Sequence, residues 1–423
     1  MELFPLFSVA IVTAAVLSWV NHRFVKLPTT IGVMLIAMGM SLALFALDAL
    51  GLGLRERVQD LLLELDFGHF VLDVVLAFLL FAAALHLELD DLKNQGWIIA
   101  MLATAGVLAS TLIVGTLVHL ALAAIGLPVP WLHALLFGAL ISPTDPIAVL
   151  GILKSAGASR GLSTKMAGES LFNDGIGVVA FTLIAMLAGA AGGGHGDAAL
   201  SLTEAASIFA VEVGGALVLG LAAGWIAFRM MRSVDAYSLE VLLSLALATG
   251  LYSLCTALHA SGPLAVVVAG LFLGNHGRSF AMSPTTAQHI DTFWELVDEI
   301  LNVLLFVLIG MELLVLRFDG RWLLAGAVAV PLVLAARLAS VWAVIRFRGR
   351  RRRFSPGTVQ VLTWGGLRGG ISIALALSLA REFPSRALLV AMTYVVVIFS
   401  IAVQGLTVGR LIRRVERRAA AAG

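Results

Sequence analysis

The sequence is dominated by long apolar runs separated by short polar stretches. A helix of about 20 mostly apolar residues is long enough to cross the hydrocarbon core of a bilayer. Of the 423 residues, 60% are hydrophobic and 13% are charged, whereas a soluble domain carries about 25% charged residues. We therefore predict an all-α polytopic membrane protein that forms a single membrane domain over residues 1–423.

The apolar runs predict thirteen membrane spans, and an amphipathic stretch at 55–66 is predicted to lie at the membrane surface. The predicted spans are 5–22, 29–50, 68–88, 97–124, 131–155, 163–190, 205–230, 238–258, 262–275, 295–316, 322–345, 357–380 and 386–409.

The distribution of basic residues tests this count, because cytoplasmic loops of membrane proteins carry an excess of Lys and Arg. With the C-terminus inside, 20 of the 28 Lys and Arg residues fall on the cytoplasmic side and six on the opposite side. Arg337 and Arg368 remain within the membrane. We expect an inner-membrane protein with its N-terminus outside and its C-terminus in the cytoplasm.

Polar residues inside a bilayer are costly and are candidates for a functional site. In span five, Pro143 and Pro146 flank Thr144 and Asp145. Proline lacks the N–H of a helical hydrogen bond and clashes with the preceding turn, so the helix should break here and free backbone oxygens. The alternative is a simple proline kink with a structural aspartate.

Span six carries Glu169, Ser170, Asn173 and Asp174 on an otherwise apolar helix. Residues four apart share a helix face, so Glu169 stacks with Asn173, and Ser170 with Asp174. Hydrogen bonding between helices could explain some of these residues, Glu169 above all. Two carboxylates five residues apart favour a functional site that includes Asp174.

Span twelve holds Arg368 among the glycines of 364–370. Glycine weakens a helix and permits close backbone approach, and a buried arginine needs a carboxylate. Glu169 is the partner we prefer for Arg368. Asn302 and Glu312 in span ten either face the same cavity or pack structurally, and Arg337 is expected to pair with a neighbour.

Spans five and twelve occupy corresponding positions in two halves of six spans each. The halves start on opposite sides of the membrane, which predicts two inverted six-helix repeats. Interrupted helices at matching positions of such repeats indicate a binding site near the membrane midplane. The two unwound helices are therefore expected to cross there.

Other chemistries are disfavoured. The G-x-S-x-G pattern at 157–161 lies in a short basic loop, whereas a hydrolase nucleophile needs a strand before it and a helix after it. We therefore do not expect an enzyme. No cofactor is predicted, and a net charge of +2 is too small to suggest a nucleic-acid partner.

The combination of these segments resembles the electroneutral branch of the cation/proton antiporter family, the NhaP-like and NHE-like exchangers. The segments are 144–146, Glu169-Ser170, Asn173-Asp174, 366–370, Leu27-Pro28 and 306–310. One departure is that 81–85 carries no acid, although some relatives have a further carboxylate in span three.

The resemblance implies a role for each polar residue. Asp174 would bind the ion and the proton, with Ser170 and the Thr144 backbone as further ligands. Asp145 and Asn173 would hold the unwound crossing, and Glu169 and Arg368 would form a supporting ion pair.

The resemblance also implies how the chain is organised. Core helices would span approximately 68–190, 295–316, 322–345 and 357–409, and dimerisation helices approximately 1–50 and 205–275. The family is usually a homodimer in the membrane lipid.

The function expected from these features is electroneutral exchange of one H⁺ for one Na⁺ or Li⁺. Hard cations prefer oxygen ligands, and one carboxylate cannot hold a proton and a cation together. Asn173 does not ionise, so one proton should be exchanged for each cation. A potassium/proton antiporter on the same fold and an organic-anion carrier remain alternatives.

Overall fold

The computed structural model describes residues 3–48, 70–145, 151, 153, 156–190, 202–314, 319–348 and 357–422. The α-helices used below are α1 Leu3–Val20, α2 Thr29–Asp48, α3 Leu76–Leu85, α4 Leu89–Met101, α5 Val107–Ala124, α6 Trp131–Ile141, α7 Arg160–Leu187, α8 Leu202–Met231, α9 Tyr237–Ala257, α10 Gly262–Phe272, α11 Pro284–Glu312, α12 Gly320–Arg348, α13 Thr358–Trp364, α14 Gly370–Leu377, α15 Arg386–Phe399 and α16 Leu406–Ala422. Every regular element in these ranges is helical, which confirms the predicted all-α class.

Wider helical turns with a π-type hydrogen-bond pattern extend or join several helices. They comprise Asn21–Val25, Phe70–Val75, Leu102–Gly106, Leu273–Gly277 and Ser400–Gly405. Two of these turns make continuous rods of α4 with α5 and of α15 with α16. Such turns keep backbone groups paired within the helix, which a lipid environment requires.

Within the described ranges, eight helices are long and apolar enough to cross a membrane. They are Phe7–Val25, Thr29–Asp48, Gln95–Ala124, Gly161–Leu187, Ser207–Met231, Tyr237–Ala257, Gly320–Arg346 and Arg386–Arg418. Helices α3 and α6 are apolar but shorter. The total of thirteen spans stays a prediction, as does the division into core and dimerisation helices, and the stretch at 55–66 lies outside the described residues.

Glycines bring the helices around the site into close contact, as is common where membrane helices pack. A Cβ at Gly138 of α6 would lie 2.3 Å from the Thr111 backbone oxygen of α5. One at Gly177 of α7 would lie 2.2 Å from Pro143 Cγ. Larger side chains would force these helices apart, so the glycines set how closely α5 and α7 approach the end of α6.

Helix α11 joins two parts of the apolar core. Near its C-terminal end, Gly310 packs against Ala37 of α2 and accepts a hydrogen bond from Ser41 Oγ at 2.9 Å. Near its N-terminal end, buried Trp294 packs against Phe81 of α3, with ring centroids 4.7 Å apart. The middle of α11 is thereby held beside the start of α14, where Leu305 packs against Gly370.

Candidate functional site: two crossed unwound segments

The first polar segment begins where α6 ends at Ile141, and residues 142–145 are not helical. Pro143 has no N–H to continue the helical ladder. Ser142 Oγ donates to the Gly138 backbone oxygen at 2.6 Å and accepts from Thr111 Oγ1 at 3.2 Å. The predicted break in span five is confirmed, and Pro146 lies outside the described residues.

The second polar segment separates α13 from α14, and residues 365–369 between them are not helical. The break falls at the predicted glycines. Gly369 is extended there, and a Cβ on it would lie 2.0 Å from Asp145 Oδ2. Only a residue without a side chain allows the first segment to approach this closely.

The two segments cross and bond to each other. The Asp145 backbone N–H donates to the Leu367 oxygen at 2.8 Å. The Arg368 guanidinium donates to the Pro143 oxygen at 2.7 Å and to the Ser142 oxygen, while its backbone N–H donates to Ser400 Oγ at 2.9 Å. The positive charge of Arg368 thus lies at the carbonyl end of α6, where the helix dipole favours a cation. This arrangement confirms the predicted crossing.

Helix α7 presents its polar face to the first segment. Asn173 Nδ2 donates to Thr144 Oγ1 at 2.8 Å, and Asn173 Oδ1 accepts from the Thr144 N–H at 3.3 Å. Ser170 Oγ lies 2.9 Å from Thr144 Oγ1. The Asn173 side chain therefore pairs with both polar groups of Thr144 and ties the unwound segment to α7.

Asp174 lies beside this network and is only 1% exposed. Its Oδ2 has no hydrogen-bond partner among the described residues. Asp145 and Arg368 are the charged groups that act on it electrostatically. A buried carboxylate oxygen without a partner costs free energy, and a proton or a cation bound to that oxygen would remove the cost.

The structure corrects the predicted ion pair. Glu169 pairs with Arg337 of α12, and both side chains are buried. Arg337 also donates to the Leu362 oxygen at 3.2 Å, while Arg368 is occupied by the carbonyl end of α6. The Glu169–Arg368 pairing is therefore wrong. The expectation that Arg337 pairs with a neighbour is confirmed.

The structure also shows where Asn302 and Glu312 of α11 lie. Asn302 is 2% exposed, and its Nδ2 donates to the Asp298 backbone oxygen at 2.7 Å. Glu312 is buried farther along α11, with Arg386 as a charged neighbour. Sequence reasoning missed Asp298, although it lies one turn from Asn302 and shares its helix face.

Crossed unwound segments inside a polytopic helical protein, with a buried carboxylate beside the crossing, are the architecture of an alternating-access membrane transporter. The chain belongs to the sodium/hydrogen exchanger family, because the family model for the transmembrane sodium/hydrogen exchanger matches residues 11–414. The resemblance inferred from the sequence is thus confirmed.

Individual relatives agree with this assignment. The Na⁺/H⁺ antiporter NhaP of Pseudomonas aeruginosa is 47% identical over 410 residues, which cover 96% of this chain and 95% of that protein. The Na⁺/H⁺ antiporter NhaH of Halobacillus dabanensis is 38% identical over 354 residues, covering 81% of this chain and 82% of that protein.

A solved structure shares the fold. The sodium proton antiporter MjNhaP1 from Methanocaldococcus jannaschii at pH 8 matches with a TM-score of 0.74. The match covers 97% of this chain and 99% of that chain at 19% sequence identity. At this identity the likeness establishes the fold alone.

Proposed function

We propose that this protein exchanges Na⁺ for H⁺ across the membrane and that Asp174 is the exchanging group. The observation that carries the proposal is the buried Asp174 carboxylate, whose Oδ2 has no partner among the described residues. Family membership and the naming of the relatives as Na⁺/H⁺ antiporters support the same function.

Coupling follows from competition at Asp174. A proton and a hard cation both bind a carboxylate oxygen, and each excludes the other. Thr144 and Ser170 would supply further oxygen ligands, the type that hard cations prefer. Exchange then needs only that the site open to one side of the membrane at a time.

The stoichiometry we propose is one proton for one Na⁺ or Li⁺. Asn173 is next to Asp174 but cannot ionise, and its amide is engaged by Thr144. One titrating carboxylate therefore moves no net charge per cycle. Each pH unit across the membrane would sustain about a tenfold Na⁺ gradient, worth about 1.4 kcal/mol.

The neighbouring residues hold the crossing in this proposal. The Asp145 backbone ties the two unwound segments together, and Asn173 ties the first of them to α7. Arg368 neutralises the carbonyl end of α6. The Glu169–Arg337 pair joins α7 to α12 behind the site. These residues would keep the geometry around Asp174 constant while its occupant changes.

The alternatives have different support. Oxygen ligands do not by themselves distinguish Na⁺ from K⁺, so the transport assay has to compare the two ions. An organic-anion carrier would need a cationic group for its substrate, but Arg368 donates to two backbone oxygens and Arg337 pairs with Glu169. The contacts of the two arginines therefore favour a cation as cargo.

The wider setting belongs to the same proposal. The protein would lie in the inner membrane as a homodimer, with its N-terminus outside and its C-terminus in the cytoplasm. The asymmetric distribution of Lys and Arg supports this orientation, and the family resemblance supports the dimer. Na⁺ and H⁺ are the cargo, and the mechanism needs no cofactor and no nucleic-acid partner.

The test is the dissipation of a pH gradient in proteoliposomes on addition of Na⁺, Li⁺ or K⁺, with and without a membrane-potential clamp. A response to Na⁺ or Li⁺ that the clamp leaves unchanged is the expected result. A response to K⁺ alone would replace the cargo but keep the mechanism. Absence of any cation response would overturn the proposal.

A further inference from the structure

A polar stripe on α11 faces the crossing of the unwound segments. Asp298, Asn302 and Leu305 lie on one face, since residues three and four apart on a helix are neighbours. Leu305 defines where this face points, because a Cβ on Gly370 would lie 2.7 Å from its side chain. Gly370 follows Gly369, which is in contact with Asp145.

Asn302 has an unused oxygen on this face. Its Nδ2 donates to the Asp298 backbone oxygen one turn earlier at 2.7 Å. Its Oδ1 is buried and has no hydrogen-bond partner among the residues that the structure describes. A buried amide oxygen without a partner is unfavourable, and a passing cation would offer it one.

Asp298 lies one turn before Asn302, next to exposed acidic residues of α11. Its side chain is half-buried, whereas Glu295 and Glu299 on the neighbouring turns are exposed. The charge of Asp145 acts on Asp298 electrostatically. Asp298 therefore stands between the exposed glutamates of α11 and the crossing.

We propose that the Asp298 carboxylate and the Asn302 Oδ1 atom form a cation-binding subsite through which Na⁺ passes on its way to Asp174. This inference rests on the proposed function. One carboxylate and one amide oxygen match the preference of a hard cation for oxygen ligands. The subsite would replace part of the water shell of the ion before the ion reaches the fully buried Asp174.

The test measures the initial rate of proton movement in proteoliposomes against Na⁺ concentration at constant pH. Asp298→Asn and Asn302→Leu should each raise the apparent KM for Na⁺ about tenfold, in line with the loss of one contact to a charged group. The maximal rate should stay within about twofold, because binding before the exchange step is what changes.

Two further variants keep the test decisive. Glu299→Gln removes the same charge as Asp298→Asn from the adjacent exposed position, and its KM should stay at the wild-type value. Asn302→Asp retains an oxygen ligand and should keep a KM close to wild type, even if Asn302→Leu fails to fold. An unchanged KM in Asp298→Asn, or an equal rise in Glu299→Gln, would overturn the subsite.

Failure of the subsite and failure of the exchange function give different results. Absence of any cation response in the wild-type protein would rule out the proposed function itself. If the wild-type protein exchanges Na⁺ and the variants keep the wild-type KM, only the subsite is ruled out. If the wild type responds to K⁺ alone, the same series is measured against K⁺.

Discussion

Gly369 and Asp145 are packed so closely that a Cβ on the glycine would lie 2.0 Å from Asp145 Oδ2 and 2.8 Å from Asp145 Cβ. The contact joins two segments that are more than two hundred positions apart in the chain. Because the Cβ and the Oδ2 atom of Asp145 would both lie too close to the added methyl group, rotation of the carboxylate alone cannot make room.

Gly369→Ala should therefore separate the two unwound segments. Overpacking of this kind costs about 1–3 kcal/mol, and we expect a lower melting temperature in detergent together with a large loss of exchange. Gly250→Ala is the matched control, because Gly250 is an exposed glycine of α9 whose added Cβ would meet no neighbouring atom within 4 Å. Equal behaviour of the two variants would contradict the tight crossing.

Asp174→Asn should abolish cation-driven proton movement while the protein stays folded. The amide cannot exchange a proton at neutral pH, and the substitution removes a buried charge whose burial is costly. The melting temperature should therefore be equal to that of the wild type or higher. Sodium-dependent proton flux that survives in Asp174→Asn would refute the assignment of the exchanging group.

The Glu169–Arg337 pair should be visible in a double-mutant cycle. Removing one partner of a buried ion pair leaves an uncompensated charge and costs about 3–5 kcal/mol. Glu169→Gln and Arg337→Met should each lower the melting temperature, and the double variant should recover much of the loss. The double-mutant cycle of Glu169→Gln with Arg368→Met serves as the comparison. A larger interaction energy in that cycle would show that Arg368, and not Arg337, is the partner of Glu169.

Ser170→Ala should weaken cation binding without unfolding the protein. The change removes one oxygen and the 2.9 Å contact with Thr144 Oγ1. Loss of one hydrogen bond predicts a rise of about two- to tenfold in the apparent KM for Na⁺. Ser41→Ala removes a buried hydroxyl that bonds to the Gly310 backbone oxygen of α11, and its KM should not change.

The primary sequence was sufficient for the class of fold and for the location of the breaks. The length of the apolar runs predicts membrane-spanning helices, since only a helix or a closed barrel hydrogen-bonds all its backbone N–H and C=O groups in lipid. Pro143 and the glycines around Arg368 predict where two of those helices must unwind. The polar face of α7 was also predictable, because the period of the helix places Ser170 and Asp174 together.

Tertiary structure alone decided which partners these residues take. Arg337 and Arg368 both lie in the interior of predicted spans, and Glu169 could pair with either of them. In the folded chain Arg337 reaches Glu169, while Arg368 caps the carbonyl end of α6. The polar stripe of Asp298 and Asn302 became visible only when Leu305 showed which way that face of α11 points. The helical period and the hydropathy of a segment can be read from that segment alone. Ion pairing and the close approach of two backbone segments depend on distances between segments, which only the packed helices define.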